Sequence, residues 1–280
     1  MKMREDRHTE TLTALGHPGR MAVFRLLARR APDTVSAGEL VQALGLKPST
    51  LSVYVAILTR SGLIRQERDG RFLRYGINLE NVGTLVEFLV NDCCRGRPEL
   101  LANLPSGDVV EAVPRPDRTY NVLFVCTGNS TRSIFAEAIL EAEGSGRLRA
   151  FSAGTSPYPE LSHHTLEVLQ ANGHDASHLQ PKNLDRFHEL TAPKMDFVFT
   201  VCDRAANEEC PPLPGQPVSA HWGMSDPVKV EGTQAEKALA FQEAYRMLKA
   251  RLEAFMALPI STLSRLSLQR ELDEIGRKAP

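Results

Sequence analysis

Val122 to Ser133 reads Val-Leu-Phe-Val-Cys-Thr-Gly-Asn-Ser-Thr-Arg-Ser, so a cysteine and an arginine stand in a C-x5-R arrangement. Successive backbone N–H groups of a tight loop, with a helix N-terminus behind them, form a cradle for a tetrahedral oxyanion. The planar fork of Arg132 suits two of the anion's oxygens at once. The same positive field is expected to lower the pKa of Cys126 and make it a thiolate nucleophile. Gly128 allows a turn that other residues resist. The cradle is therefore read as Thr127, Gly128, Asn129, Ser130, Thr131, Arg132 and Ser133, around the nucleophile Cys126. C-x5-R alone is a loose pattern. Here an apolar, β-branched run (Tyr120 to Val125) precedes it and a helical pattern starts at Ser133, so it reads as strand, loop and helix.

Cys126 to Ser133 resembles the phosphate loop of the low-molecular-weight tyrosine phosphatase superfamily, which contains phosphatases and one class of arsenate reductases. Two further cysteines bear on that choice. Asp196-Phe-Val-Phe-Thr-Val-Cys202 is a second strand-like run, and Cys210 follows eight residues later, before Pro211 and Pro212. A phosphatase needs one cysteine. A reductase supplies two electrons, so it needs a thiol to attack the first adduct and another to resolve the disulfide. The Val-Cys-Asp and Cys-Pro text resembles the redox segment of arsenate reductases. That resemblance implies a catalytic set of Cys126, Arg132, Cys202, Cys210 and Asp226, with no tightly bound cofactor. It also implies an external thiol donor of thioredoxin or glutaredoxin/glutathione type. The polar segment between Cys202 and Cys210 reads as a loop able to bring the two thiols together. In the best-known thioredoxin-linked members this pair is one residue closer, and many relatives carry Cys where this chain has Thr131; the donor is left open. In His221-Trp222-Gly223-Met224-Ser225-Asp226-Pro227, Asp226 would be the general acid that protonates the leaving oxygen. Val228 follows, where tyrosine phosphatases usually carry an aromatic residue.

The elements that hold these groups are legible from periodicity. Beyond residue 119, strand and helix patterns alternate: 120–126, 133–143, 148–152, 161–171, 196–202, 217–221 and 234–257. That alternation implies an α/β three-layer fold with a parallel sheet. Ile260 to Ile275 reads as one more amphipathic helix. Before residue 104 the pattern differs. A helix starts at Thr11, His17-Pro18-Gly19 interrupts it, and Arg20 to Arg30 continues; Ser36 with Glu39 makes a capping box for a helix to Leu44. Pro48 opens a helix over Ser49 to Arg60, Leu63 to Asn78 reads as a hairpin around Asp69-Gly70, and a last helix spans about Glu80 to Cys93.

Over residues 8–100, and in Leu15 to Arg20 and Leu46 to Leu63 particularly, this resembles the ArsR-type winged-helix repressors. The resemblance implies a mainly α, winged helix-turn-helix domain with a β-hairpin wing, pairing as a homodimer on operator DNA. Ser49, Thr50, Ser52 and Tyr54 would face the major groove, and Arg68, Arg71 and Arg74 on the wing would meet phosphates or the minor groove. Cys93 and Cys94 are adjacent at the end of the last helix. Thiolates favour soft ions, and some relatives sense arsenite with such a pair plus a third cysteine, where this chain has Leu100 and Leu101.

Length fits two domains: the 280 residues divide into 1–103, a Pro- and Gly-rich linker 104–118, a catalytic domain 119–258 and an extension 259–280. Charge divides too. Residues 1–100 hold 15 Lys/Arg against 11 Asp/Glu, and the remainder 18 against 23. A net +4 beside a net −5 directs nucleic acid to the front. Five cysteines without framework spacing, and no apolar run of spanning length, point to a cytoplasmic protein without a membrane partner. The expected function is an arsenate reductase fused to an arsenite-responsive repressor. The alternatives are a tyrosine phosphatase fused to a DNA-binding regulator, or a transcription factor with a non-catalytic oxyanion domain.

Overall fold

The computed structural model describes residues 2–70, 72–95, 118–189, 191–208, 213–214 and 217–277, with side chains from His8 onward. Arg71 and Cys210, as well as nearly all of the linker, lie outside the described residues. The chain divides into two compact units, Met1–Gly107 and Asp108–Pro280.

The first unit opens with helices α1 (Lys2–Leu15) and α2 (Pro18–Arg29). His17-Pro18-Gly19 does more than interrupt a helix. Pro18 occupies the first turn of α2, where its missing N–H costs nothing, and His17 Nδ1 caps it by accepting from Gly19 N at 3.1 Å. Helix α3 (Ala37–Leu44) is capped by Ser36 Oγ, which accepts from Glu39 N, and ends on Gly45 at φ +60°. Helix α4 (Pro48–Arg60) follows after a turn, bent 112° from α3, as a helix-turn-helix requires. Strands β2 (Ile64–Asp69) and β3 (Phe72–Ile77) form the wing. Asp69 pairs with Phe72, so Gly70 at φ +58° starts the turn, one residue later than the Asp-Gly text places it. A two-residue strand, β1 (Val35–Ser36), adds to β3 and makes a three-stranded sheet. Helix α5 (Leu79–Glu87) continues as a π-helical turn over Phe88–Cys93. Leu26, Leu27, Leu40, Leu58 and Ile77 are buried in a core of this unit's own.

In the second unit, strands β4 (Tyr120–Cys126), β5 (Leu148–Gly154), β6 (Phe197–Thr200) and β7 (Val218–His221) form a parallel sheet in the order β5-β4-β6-β7. β4 and β6 read as unbroken apolar runs because central parallel strands are covered on both faces. The helices are α6 (Arg132–Glu143), α7 (His163–Ala171), α8 (Asp203–Asn207), α9 (Gln234–Met256) and α10 (Arg265–Arg277). A complete capping box of Thr233 and Glu236 starts α9. The segment read as an extension carries α10, whose Leu268, Leu272 and Ile275 enter the main core. Trp222 stacks on Phe199 at 4.0 Å and donates from Nε1 to Leu272 O at 3.0 Å, so α10 is tied to the strand ends. Among the described residues no single helix is long and apolar enough to cross a membrane.

Candidate functional site

β4 ends at Cys126 and α6 begins at Arg132, so the loop between them stands where a parallel strand delivers its chain to a helix. The loop is fastened by backbone hydrogen bonds from the segment after β5. Thr155 N donates to Cys126 O at 3.1 Å, Ser156 N to Thr127 O at 2.9 Å and Tyr158 N to Gly128 O at 2.9 Å. Gly154 permits this approach, since a Cβ there would fall 2.5 Å from Thr127 O. Asn129, at φ +45°, turns its backbone N–H onto Cys126 Sγ at 3.1 Å. Ser133 Oγ lies 3.0 Å from the same sulfur. Ser130 and Thr131 are held from α7, where Thr165 Oγ1 stands 2.9 Å from both Ser130 O and Thr131 Oγ1.

Behind the loop runs a buried polar chain that the sequence reading missed. Asn129 Nδ2 donates to Ser133 Oγ (2.9 Å) and Ser152 Oγ (2.7 Å), and Ser152 donates to Glu137 Oε2 at 2.6 Å. Lys182 Nζ sits 2.9 Å from both Glu137 oxygens, and its backbone N–H donates to Asn129 Oδ1 at 2.6 Å. The one local signal was Glu137 itself, a lone acid in the apolar run Ile134 to Ile139.

Cys202 and Asp226 converge on this loop. The β4–β6 register sets Val125 beside Thr200, and Val201 N donates to Val125 O at 2.8 Å. This carries Cys202 to the sheet edge beside Cys126, with its sulfur 3.5 Å from Thr127 Oγ1. Cys202 is also the N-cap of α8, accepting from Ala205 N at 3.4 Å. The segment after Cys202, expected as a loop, therefore starts as a short helix. Arg132 Nη2 donates to Asp226 Oδ2 at 2.9 Å and Nη1 to Met224 O at 3.2 Å, so the guanidinium expected to bind the anion is ion-paired with the candidate acid.

The structure points the other way from the expected lowering of the Cys126 pKa. Burial pushes the thiol up and outweighs the opposing pulls of Ser133, Arg132 and the Asn129 N–H; Cys202 nearby adds to the rise. Arg132's charge is shared with Asp226, which weakens the field that the sequence reading credited to it.

In the first unit, α4 buries Leu51, Val55 and Leu58 and exposes Ser49, Ser52, Val53, Ala56 and Arg60. Val53, 57% exposed, is an outer-face residue that polar-residue reasoning passed over. Thr50 is half-buried. Tyr54 turns inward: its ring lies 5.1 Å from that of His17, and a Cβ on Gly19 would fall 2.5 Å from it. On the wing Arg68 is exposed, whereas Arg74 is bound to Thr34 through Nε–Oγ1 (2.9 Å) and Nη2–O (2.6 Å). Cys93 is exposed and Cys94 half-buried, both as free thiols. Among the described residues no group of three or more His, Cys, Asp or Glu is placed to hold a metal ion.

Comparison with known proteins agrees with both halves. The family profile of the low molecular weight phosphotyrosine protein phosphatases matches residues 121–271, and a helix-turn-helix domain profile matches residues 15–67. An arsenate reductase of Shouchella clausii is 34% identical over 134 residues, covering 48% of this chain and 93% of that protein. The HTH-type transcriptional regulator YgaV of Escherichia coli is 36% identical over 83 residues, covering 30% of this chain and 82% of that protein. A solved structure described as an arsenate reductase in the oxidized state covers 50% of this chain and 98% of its own, at 24% identity and a TM-score of 0.42. The chain belongs to the low molecular weight phosphotyrosine protein phosphatase family, in an arsenate reductase-like form fused behind a helix-turn-helix domain.

Proposed function

We propose that the second unit reduces arsenate to arsenite, and that the first represses transcription from operator DNA until arsenite releases it. The observation that carries the enzymatic reading is the second thiol. Cys202 stands at the end of the strand next to Cys126, within reach of Thr127 of the anion loop, where a phosphatase has no use for it. Arsenate binds the loop N–H groups and Arg132, displacing Asp226 from the guanidinium. Cys126 attacks arsenic, and Asp226 gives a proton to the departing oxygen. The Cys202 thiolate then attacks Cys126 Sγ. The S–S bond forms as the S–As bond breaks, and the bonding pair leaves with arsenic as arsenite. Cys210 attacks Cys202 Sγ and frees Cys126 as a thiolate. An external dithiol of thioredoxin or glutaredoxin type reduces the 202–210 disulfide. These thiols need a reducing compartment, the cytoplasm.

A second reading, phosphate-ester hydrolysis, is favoured by Tyr158. Its ring is 56% exposed and stands over Gly128, so close that a Cβ there would lie 2.5 Å away, and it offers a face to an aryl group. Donor-coupled arsenate turnover measured beside aryl phosphate hydrolysis separates the two. Cys126→Ser abolishes both, and Cys210→Ala abolishes multiple turnovers of reduction while sparing hydrolysis. Full reductase turnover in Cys210→Ala would sink the three-thiol relay.

A further inference from the structure

His221 is a buried titratable group that the reaction above does not use. Its side chain is 2% exposed, at the end of β7, and both ring nitrogens are engaged. Nδ1 lies 2.8 Å from Thr200 Oγ1, at the end of β6, and Nε2 lies 2.9 Å from Asp203 Oδ1, on the first residue of α8. Cys202 sits between those two partners in sequence. The imidazole thus bridges the residues that flank the second thiol's turn. We propose that His221 is a positioning residue that latches the Cys202 turn, holding its sulfur toward Thr127 and the anion loop.

Three features of the site fit a latch that opens and closes. Asp203 is 63% exposed, so on release its carboxylate passes to water without a large desolvation penalty. His221 keeps its Thr200 partner on Nδ1 when Asp203 leaves, so the ring stays anchored and the cost of opening is confined to Nε2. Gly223 supplies the room: a Cβ there would fall 2.5 Å from His221 Nε2 and 2.8 Å from Asp203 Oδ1. The His221-Trp222-Gly223 text then has a separate task for each residue. His221 latches, Trp222 packs between Phe199 and Phe255, and Gly223 leaves space for the latch. A thiol that must attack one sulfur and later be attacked by another needs its turn held for the first event and free for the second.

The consequence for turnover rests on the reductase reading; the geometry does not. The test uses the full chain with His221→Ala and, against the chance that an emptied buried site fails to fold, Gly223→Ala, which wedges the latch and keeps the imidazole. Single-turnover arsenite release needs no external donor and reads the Cys202 attack. It should fall about 10- to 100-fold in both variants, as a misplacement of about 1 Å does, with the KM for arsenate unchanged. Iodoacetamide labelling of Cys202, followed by mass spectrometry with phosphate in the loop, should speed up about 10-fold as the turn opens. Labelling of Cys126 should not change. His221→Gln, which keeps a donor for Asp203, should recover part of the rate. Release within about twofold of the unmodified protein, or faster, overturns the proposal, because a misplaced thiol costs far more. So does a parallel change in Cys126 labelling, which marks a general structural role. If the unmodified protein releases no arsenite, the reductase reading fails, and the latch stands or falls on Cys202 labelling alone.

Discussion

Cys126 is governed by a contest between burial, which raises its pKa, and three groups that favour the thiolate: Ser133, Arg132 and the Asn129 N–H. Ser133 is the strongest of the three. Ser133→Ala therefore removes the main support of the charged form. The reactive thiolate exists above the folded pKa, so the midpoint of Cys126 alkylation against pH moves upward and labelling at neutral pH slows; an unmoved midpoint contradicts the assignment. Buried Glu137 and half-buried Lys182 form a second charge balance beneath the loop. Lys182→Met leaves the buried Glu137 carboxylate without its cation, with Ser152 still donating to it, and should cost about 3 kcal/mol in urea unfolding of the second unit, whereas adding Glu137→Gln should return much of it. The two layers differ in legibility for a physical reason. Cys126 to Ser133 announces itself because all its chemistry lies in eight consecutive residues. The Asn129–Ser152–Glu137–Lys182 chain joins residues 15 to 53 positions apart, and no local pattern encodes such contacts.

Elements were legible where a period or a cap was long enough to be seen. Helix α9 runs over Gln234–Met256 where 234–257 was expected, and α4 begins at Pro48. α8 has five residues, too few for a helical period, so it read as a loop. Tyr54 is placed by a contact far along the chain. A polar-tipped aromatic on a helix suggests an outward face, but its ring packs over Gly19. The last helix was expected at Ile260 to Ile275 and lies at Arg265–Arg277. Its apolar stripe was read without knowing what it covered, because its partners lie 50 residues back at Trp222. Leu272 is fully buried there. Leu272→Ala should destabilise the second unit by about 2–5 kcal/mol through lost packing and a residual cavity. Trp222 is the chain's one tryptophan and its indole N–H is bound to Leu272 O, so its fluorescence reports the change directly. A variant with unaltered unfolding midpoint and emission would show that α10 is not part of this core.

At the scale of the whole molecule, one chain carries an arsenate reductase-like domain and a helix-turn-helix domain of opposite net charge, and on the proposed reading the product of the first would be the signal for the second. On that reading the two adjacent thiols at the end of the first unit's last helix are the proposed entry point. Cys93 and Cys94 end the π-helical turn Phe88–Cys93, and π-turns often mark functional sites. Phe88, at the start of that turn, stacks on His8 of α1 with ring centroids 4.2 Å apart. Under this proposal, drawing two thiols onto one arsenic would pull on the turn, and the Phe88–His8 stack would pass the displacement to α1. If α1 and α5 build the dimer interface, as the winged-helix resemblance implies, ligation favours a state that reads two half-sites poorly. The dimer should bind a palindromic site upstream of its own coding sequence with an affinity that falls steeply with salt. Arsenite should then release that DNA, at a higher concentration than a three-thiol site needs. Changing both cysteines to Ser should leave DNA affinity unchanged and abolish the release, measured by anisotropy of labelled operator during arsenite titration. Replacing Phe88 with Ala should weaken the coupling while arsenite still binds the two thiols. If the double Ser variant dissociates at the same arsenite concentration as the unmodified chain, sensing lies with the catalytic thiols instead, and the π-turn has no part in it.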